Sequence, residues 1–254
     1  MAACVHSLAC LNRRPDKGSL TAAARDSMPL MNLSRAAQLR LLPFVAFMAL
    51  LALRGLAPTD DRWGFDTRWL YTLNLVVVGA MLAAWWREYG ELARQNAPSA
   101  REWALSIAVG LAVFAAWIHL DAPWMQIGEP TAAFVPVNAQ GALNWPLIAV
   151  RWVGAALLVP VREELFWRSF LMRWLQAPLF EGVEPRRIGL KAVLLSTFVF
   201  MLAHPLWLAA IVAGLAYAAL YRATGRLWTA VIAHAVTNGA LGLWVVYSRQ
   251  WQFW

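Results

Sequence analysis

Four stretches of this chain, residues 69–86, 103–120, 206–221 and 227–247, contain no Asp, Glu, Lys or Arg. A helix of roughly 17–25 apolar residues crosses the hydrocarbon core of a bilayer. A helix of that length on a soluble protein would carry a charged face. Only helices and closed barrels satisfy their own backbone hydrogen bonds in lipid, and continuous apolar runs, without the alternation of a barrel strand, select helices. The fold class that follows is an all-α, polytopic membrane helix bundle. Composition agrees: 61% of the 254 residues are hydrophobic and 14% are charged, against about 25% charged in a soluble domain.

Weaker apolar runs add further spans. The full set is residues 39–53, 69–86, 103–120, a long fourth stretch over 145–175, then 190–203, 206–221 and 227–247. Pro160 interrupts the fourth stretch, so 145–161 and 162–175 count as one helix or two, which gives seven or eight helical segments. Trp69, Trp85, Trp86, Trp103, Tyr221, Trp244 and Tyr247 crowd the ends of these runs, where interfacial aromatic anchors belong. Residues 39–254 form one membrane-embedded domain with no room for a second folded unit.

Residues 1–38 are basic, polar and without apolar periodicity, and read as a disordered tail. They lack the short apolar core and small-residue cleavage site of a signal peptide. The same composition suits an over-long start, with Met28 or Met31 as the initiator. The only cysteines, Cys4 and Cys10, lie in this tail and make no framework with anything downstream.

The formal net charge is +8. Its distribution explains it better than nucleic acid would. With the N-terminus placed inside and the spans alternating, 15 Lys and Arg residues fall inside. Four fall outside: Arg54, Arg62, Arg68 and Arg249. That asymmetry predicts a cytoplasmic N-terminus and a bilayer, with no nucleic acid, as the partner of the basic surface.

Charged side chains within a membrane segment are costly and mark functional sites by default. The fourth stretch contains Arg162-Glu163-Glu164-Leu165-Phe166-Trp167-Arg168. Glu164 and Arg168 are four apart and share a helix face, whereas Glu163 is turned about 100° away and is the carboxylate freer for chemistry. Phe200 and His204 form a second i,i+4 pair, and His234 and Asn238 a third. At ~1.5 Å of rise per residue, Glu163, His204, His234 and Asn238 reach similar depths on three different helices. Each has a plainer reading as well. The Glu164–Arg168 pair can be a structural clamp, and His or Asn at a helix interface is common glue. Phe200 is most simply a core residue.

The three spacings together, Glu163-Glu164-x3-Arg168, Phe200-x3-His204 and His234-x3-Asn238, resemble the motifs of the CAAX prenyl protease and bacteriocin-processing (CPBP, or Abi) family of membrane-embedded glutamic endopeptidases. The resemblance covers roughly residues 145–247. Leu42-Pro43-Phe44 and Trp251-Gln252-Phe253-Trp254 resemble a narrower subgroup, the CAAX protease-related proteins that accompany bacterial exosortase (PEP-CTERM) systems. The resemblance implies a bacterial inner-membrane protease that cleaves a membrane-associated protein or peptide, with a functional link to an exosortase. It implies no cofactor and no metal. Glu163 would be the general base that activates water and His204 its positioning partner. His234 and Asn238 would stabilise the oxyanion, while Glu164 and Arg168 would hold the motif helix. Such a site needs water, hence a polar cavity open to the cytoplasm or laterally to lipid.

Two other functions fit the same residues. Glu163, His204 and His234 would suit a zinc protease, which takes three protein ligands, although no His-Glu-x2-His is present. A non-catalytic immunity or scaffold protein would keep the same groups as structural glue.

Overall fold

A computed structural model describes residues 33–57, 63–128, 134–138 and 140–254. Most of the basic tail, including Met28 and Met31, lies outside the described residues. The rest forms one compact unit from Ser34 to Trp254. Its seven helices are α1 (Arg35–Gly55), α2 (Leu70–Ala84), α3 (Ala100–His119), α4 (Trp145–Gln176), α5 (Leu190–Leu202), α6 (Trp207–Thr224) and α7 (Leu227–Ser248). Among the described residues the only extended pairing is an isolated bridge between Val137 and Leu143.

Six helices, α2 taken with its leading turn from Thr67, are long and apolar enough to cross a membrane; α5, with 13 residues, is shorter. Leu42, Val45, Leu105, Leu111, Leu194 and Phe198 are exposed on the outside of the bundle. Water would not tolerate so much contiguous apolar surface, and lipid would.

Local chemistry sets the helix ends. The Ser34 side chain accepts from Ala37 N–H and starts α1 at Arg35, four residues before the apolar run begins. Ser99 and Glu102 form a capping box on α3, which satisfies two orphan donors reciprocally. Gly225, at φ 71°, ends α6 in the left-handed region that glycine enters without strain.

Helix α4 settles the question of one helix or two. Its 32 residues run continuously from Trp145 to Gln176, with the hydrogen-bond ladder widened to π-type turns over Gly154–Leu158 and Leu165–Met172. Pro160 follows the first wide stretch and has no N–H to return to the carbonyls of the preceding turn. The helix survives because one freed carbonyl, that of Ala155, accepts from the Asn238 side chain of α7 at 2.9 Å.

Close contacts between helices depend on missing side chains. A Cβ on Gly110 of α3 would stand 2.5 Å from the Ala233 carbonyl oxygen of α7, so those two backbones approach as only glycine permits. Polar contacts then tie the two ends of the bundle. At one end, Arg35 pairs with Glu88, Arg226 with Glu102, and Arg186 donates to the Thr224 carbonyl. At the other, Arg68 donates to the carbonyls of Val135 and Val137, Ile127 N–H to Pro205, and Trp207 Nε1 to the Trp124 carbonyl.

The sequence count treats Arg40 as a loop charge, but it lies inside α1 and is 6% exposed. Its guanidinium binds both Glu91 oxygens, at 2.8 and 2.7 Å, and Ser169 at 3.1 Å. Ser169 in turn donates to Glu91. Burial by itself would raise the Glu91 carboxyl, but the Arg40 and Ser169 hydrogen bonds outweigh it and hold the group below its usual 4.5. A depressed carboxyl stabilises the fold above its unfolded-state value and ceases to as pH falls through the folded value. The melting temperature in detergent should therefore be level at neutral pH and drop as pH falls below 4.5. Glu91→Gln leaves Arg40 unpaired and should cost about 3–5 kcal/mol, with a shallower acid limb in the same melts.

Candidate active site

The candidate residues come from four helices. Glu163, Glu164 and Arg168 project from the middle of α4, Phe200 from the last turn of α5 with His204 in the turn just beyond it, Tyr217 from α6, and His234 and Asn238 from α7. Glu163, His204, His234, Asn238 and Phe200 all line one chamber of about 1010 Å³. That volume is at the upper end of the usual range for ligand sites. Glu164 and Arg168 do not reach the chamber; they are buried directly behind it.

The two neighbouring carboxylates have separate partners. Glu164 Oε1 accepts from Arg168 Nη1 at 3.1 Å and from His234 Nδ1 at 2.8 Å. Arg168 Nη2 also reaches the Gly214 carbonyl of α6 at 3.2 Å, and its guanidinium lies over the rings of Phe200 and Tyr217. Phe200 is thus the wall against which the motif arginine packs. Glu163 is not free of ion pairs: Arg162 Nη2 donates to its Oε1 at 2.6 Å. Its second oxygen, Oε2, has no protein partner.

Sequence reasoning gives Arg162 no role, although its place beside the motif was the available signal. This side chain is 1% exposed and sits over Phe44 and Phe47 of α1, 5.0 and 4.0 Å from their ring centres. Phe44 also stacks on Phe166 with centroids 4.0 Å apart. The Leu42-Pro43-Phe44 segment therefore builds the aromatic floor beneath the arginine that holds Glu163. Tyr217 gave no sequence signal at all, since nothing in α6 sets it apart from an interfacial aromatic. Its ring stacks on His234 with centroids 5.0 Å apart, and its hydroxyl donates to Thr237 Oγ1 at 2.7 Å. Thr237 donates onward to the Gly110 and Ala233 carbonyls.

Hydrogen-bond roles assign the imidazole nitrogens. His204 Nδ1 lies 2.8 Å from the Phe200 carbonyl, which can only accept, so Nδ1 carries the proton. The lone pair of His204 Nε2 is left for the chamber. His234 Nδ1 likewise donates to the Glu164 carboxylate and presents its Nε2. Trp117 of α3 meets the His204 ring edge-on. Among the described residues, no three His, Cys, Asp or Glu side chains are grouped closely enough to hold a metal ion. The expectation of a zinc site on Glu163, His204 and His234 lacks that grouping.

Residues 144–240 match the family model described as Rce1-like, Type II CAAX prenyl endopeptidase Rce1-like. The matched segment contains all three motifs, and the match supports the CPBP resemblance and a membrane protease of the CAAX endopeptidase kind. No curated protein and no solved structure matches the chain.

The chamber extends to one end of the bundle. Its outer lining comes from Arg54 and Gly55 at the end of α1, Phe65–Arg68 before α2, Phe134 and Val135 before α4, and Phe253 and Trp254. This is the end of the bundle opposite Arg35. If the N-terminus is cytoplasmic, the mouth is not.

Removing one member of the buried cluster leaves its partner charged and uncompensated. Glu164→Ala should cost about 3–5 kcal/mol because Arg168 stays buried. The double variant Glu164→Leu, Arg168→Met should recover most of that loss in detergent melts, since replacing a whole buried pair by apolar groups is often neutral.

Proposed function

We propose that the chain is an intramembrane endopeptidase in which Glu163 activates a water molecule against a peptide bond of a membrane-associated protein. One observation supports this most directly: Glu163, whose Oε2 has no protein partner, lines a chamber shared with His204 and His234. The match to a CAAX endopeptidase family over the motif segment supports the reaction class.

In this mechanism Arg162 fixes Oε1 and leaves Oε2 for the water. His204 Nε2, with its lone pair directed by the Phe200 hydrogen bond, accepts one water hydrogen and aligns the oxygen. As the water oxygen bonds to the scissile carbon, its proton passes to Glu163. The carbonyl oxygen becomes an oxyanion, held by His234 and Asn238. The second amide hydrogen of Asn238 is available because the Ala155 carbonyl takes only one. With its Nδ1 proton held by the Glu164 carboxylate, His234 donates to the oxyanion through a proton on Nε2. Collapse breaks the C–N bond, and Glu163 returns the proton to the leaving amine. The products are a carboxylate and an amine, and Glu163 is regenerated.

No cofactor is required for this sequence of steps. In this reading the enzyme belongs to a bacterial inner membrane and a sorting pathway linked to an exosortase, which the subgroup resemblance supports, and its N-terminus is cytoplasmic, which the Lys and Arg asymmetry supports. The scaffold alternative draws on one specific observation, the structural bond from Asn238 to the Ala155 carbonyl.

Glu163→Gln is the decisive variant, because it keeps an oxygen for Arg162 but accepts no proton. Loss of a general base should lower turnover about 10²–10⁴-fold, and His234→Ala about 10²–10³-fold. The measurement is mass spectrometry of membrane-protein termini from cells carrying the wild type or Glu163→Gln. A terminus that needs Glu163 is expected; full complementation of a deletion strain by Glu163→Gln would favour the scaffold.

A further inference from the structure

The chamber is closed on one side of the bilayer and open on the other. None of its lining residues comes from the connections 85–99, 177–189 or 225–226. Below Glu163, α4 continues for 13 residues to Gln176, roughly 20 Å of helix. That space is packed by Phe166, Trp167, Phe170 and Phe180, all buried. Toward the other end the chamber reaches exposed residues, Gly55 and Phe65 among them.

The two ends differ equally sharply in charge. The closed end carries Arg35, Arg87, Arg94, Arg101, Arg173, Arg186, Arg187, Lys191, Arg222 and Arg226. Among the described residues the open end carries Arg54, Arg68 and Arg249, and the segment 121–144 has no Lys or Arg in its sequence. Two of those three are accounted for by the chamber. Arg54 lines it, with its guanidinium 5.4 Å from the Phe134 ring centre. Arg68 lines it too, and is tied to Asp66 and to two loop carbonyls. Basic residues in short connections stay on the cytoplasmic side, so the closed end is cytoplasmic.

We propose that the chamber is loaded from the non-cytoplasmic side, because its lining reaches exposed residues at the end of the bundle poor in Lys and Arg and none in the connections at the basic end, and that its substrate is a segment of a protein already translocated across the membrane. This rests on the reading of the chain as a protease, and it narrows the substrate class from membrane-associated proteins to exported ones. A cytoplasmic substrate would have to pass the aromatic packing beneath Glu163.

The test uses the full chain with Cys4→Ser and Cys10→Ser, expressed in a bacterial host and converted to spheroplasts. Single cysteines are placed at the mouth (Phe65→Cys), beside His204 (Ala203→Cys) and at the closed end (Lys191→Cys), and treated with a membrane-impermeant maleimide. The first two should label fully in intact spheroplasts, and Lys191→Cys only after lysis. Labelling of Phe65→Cys or Ala203→Cys only after lysis would overturn the proposal. So would failure of Ala203→Cys to label under either condition, since the chamber would then be dry. Termini that depend on Glu163 should fall in exported proteins or in non-cytoplasmic portions of membrane proteins. Such termini on cytoplasmic segments would refute the loading side but leave the protease standing. The expected labelling with no Glu163-dependent terminus anywhere would refute the protease and leave the loading side standing.

Discussion

An ion inside a membrane protein survives only with a partner, and α4 carries two guanidinium–carboxylate pairs within two turns. Taking either charge out of water costs several kcal/mol unless geometry and further hydrogen bonds offset it. The Glu164–Arg168 pair meets that condition through its additional bonds to His234 and Gly214. Those bonds reach α7 and α6, so the cost of one buried pair fixes three helices around a common point. The Arg162–Glu163 pair is covered by Phe44 and Phe47 instead, which brings α1 into the same arrangement. One oxygen of Glu163 remains outside both sets of bonds, at the wall of the chamber.

The irregularity of α4 belongs to the same design. A proline in the middle of a spanning helix frees a carbonyl that lipid cannot satisfy. Asn238 supplies the missing donor and thereby locks α7 against α4 at the depth of the site. Wide turns on either side of the Glu-Glu pair, a feature that recurs at functional sites, set the direction of both carboxylates. Gly110 lets α3 press against α7 and gives Thr237 a carbonyl to bond, which in turn orients Tyr217 beneath His234. The residues that line the chamber are thus also ones that hold the helices together.

At the mouth, Phe253 and Trp254 fold back onto the chamber wall. The Trp254 ring meets Phe134 edge-on and stacks on Trp251. Aromatic faces, with Arg54 and Arg151 lying over Phe134, make a rim that is apolar in area yet positively charged.

Residue order alone determined the all-α membrane class and the location of all seven helices, and it picked out Glu163, His204, His234 and Asn238, which line one chamber. It could do so because apolar run length and i,i+4 spacing are local properties that lipid enforces without reference to neighbours. Arg35 and Arg40 misled the first helix boundary, because a charge count cannot tell a capped, paired arginine from a loop arginine. Only the tertiary structure decided which carboxylate holds which partner, that Arg162 and Tyr217 complete the site, that α4 is one helix, and at which end the chamber opens. Those outcomes depend on contacts between helices far apart in sequence, where the energy of a buried charge is set by the groups that happen to surround it.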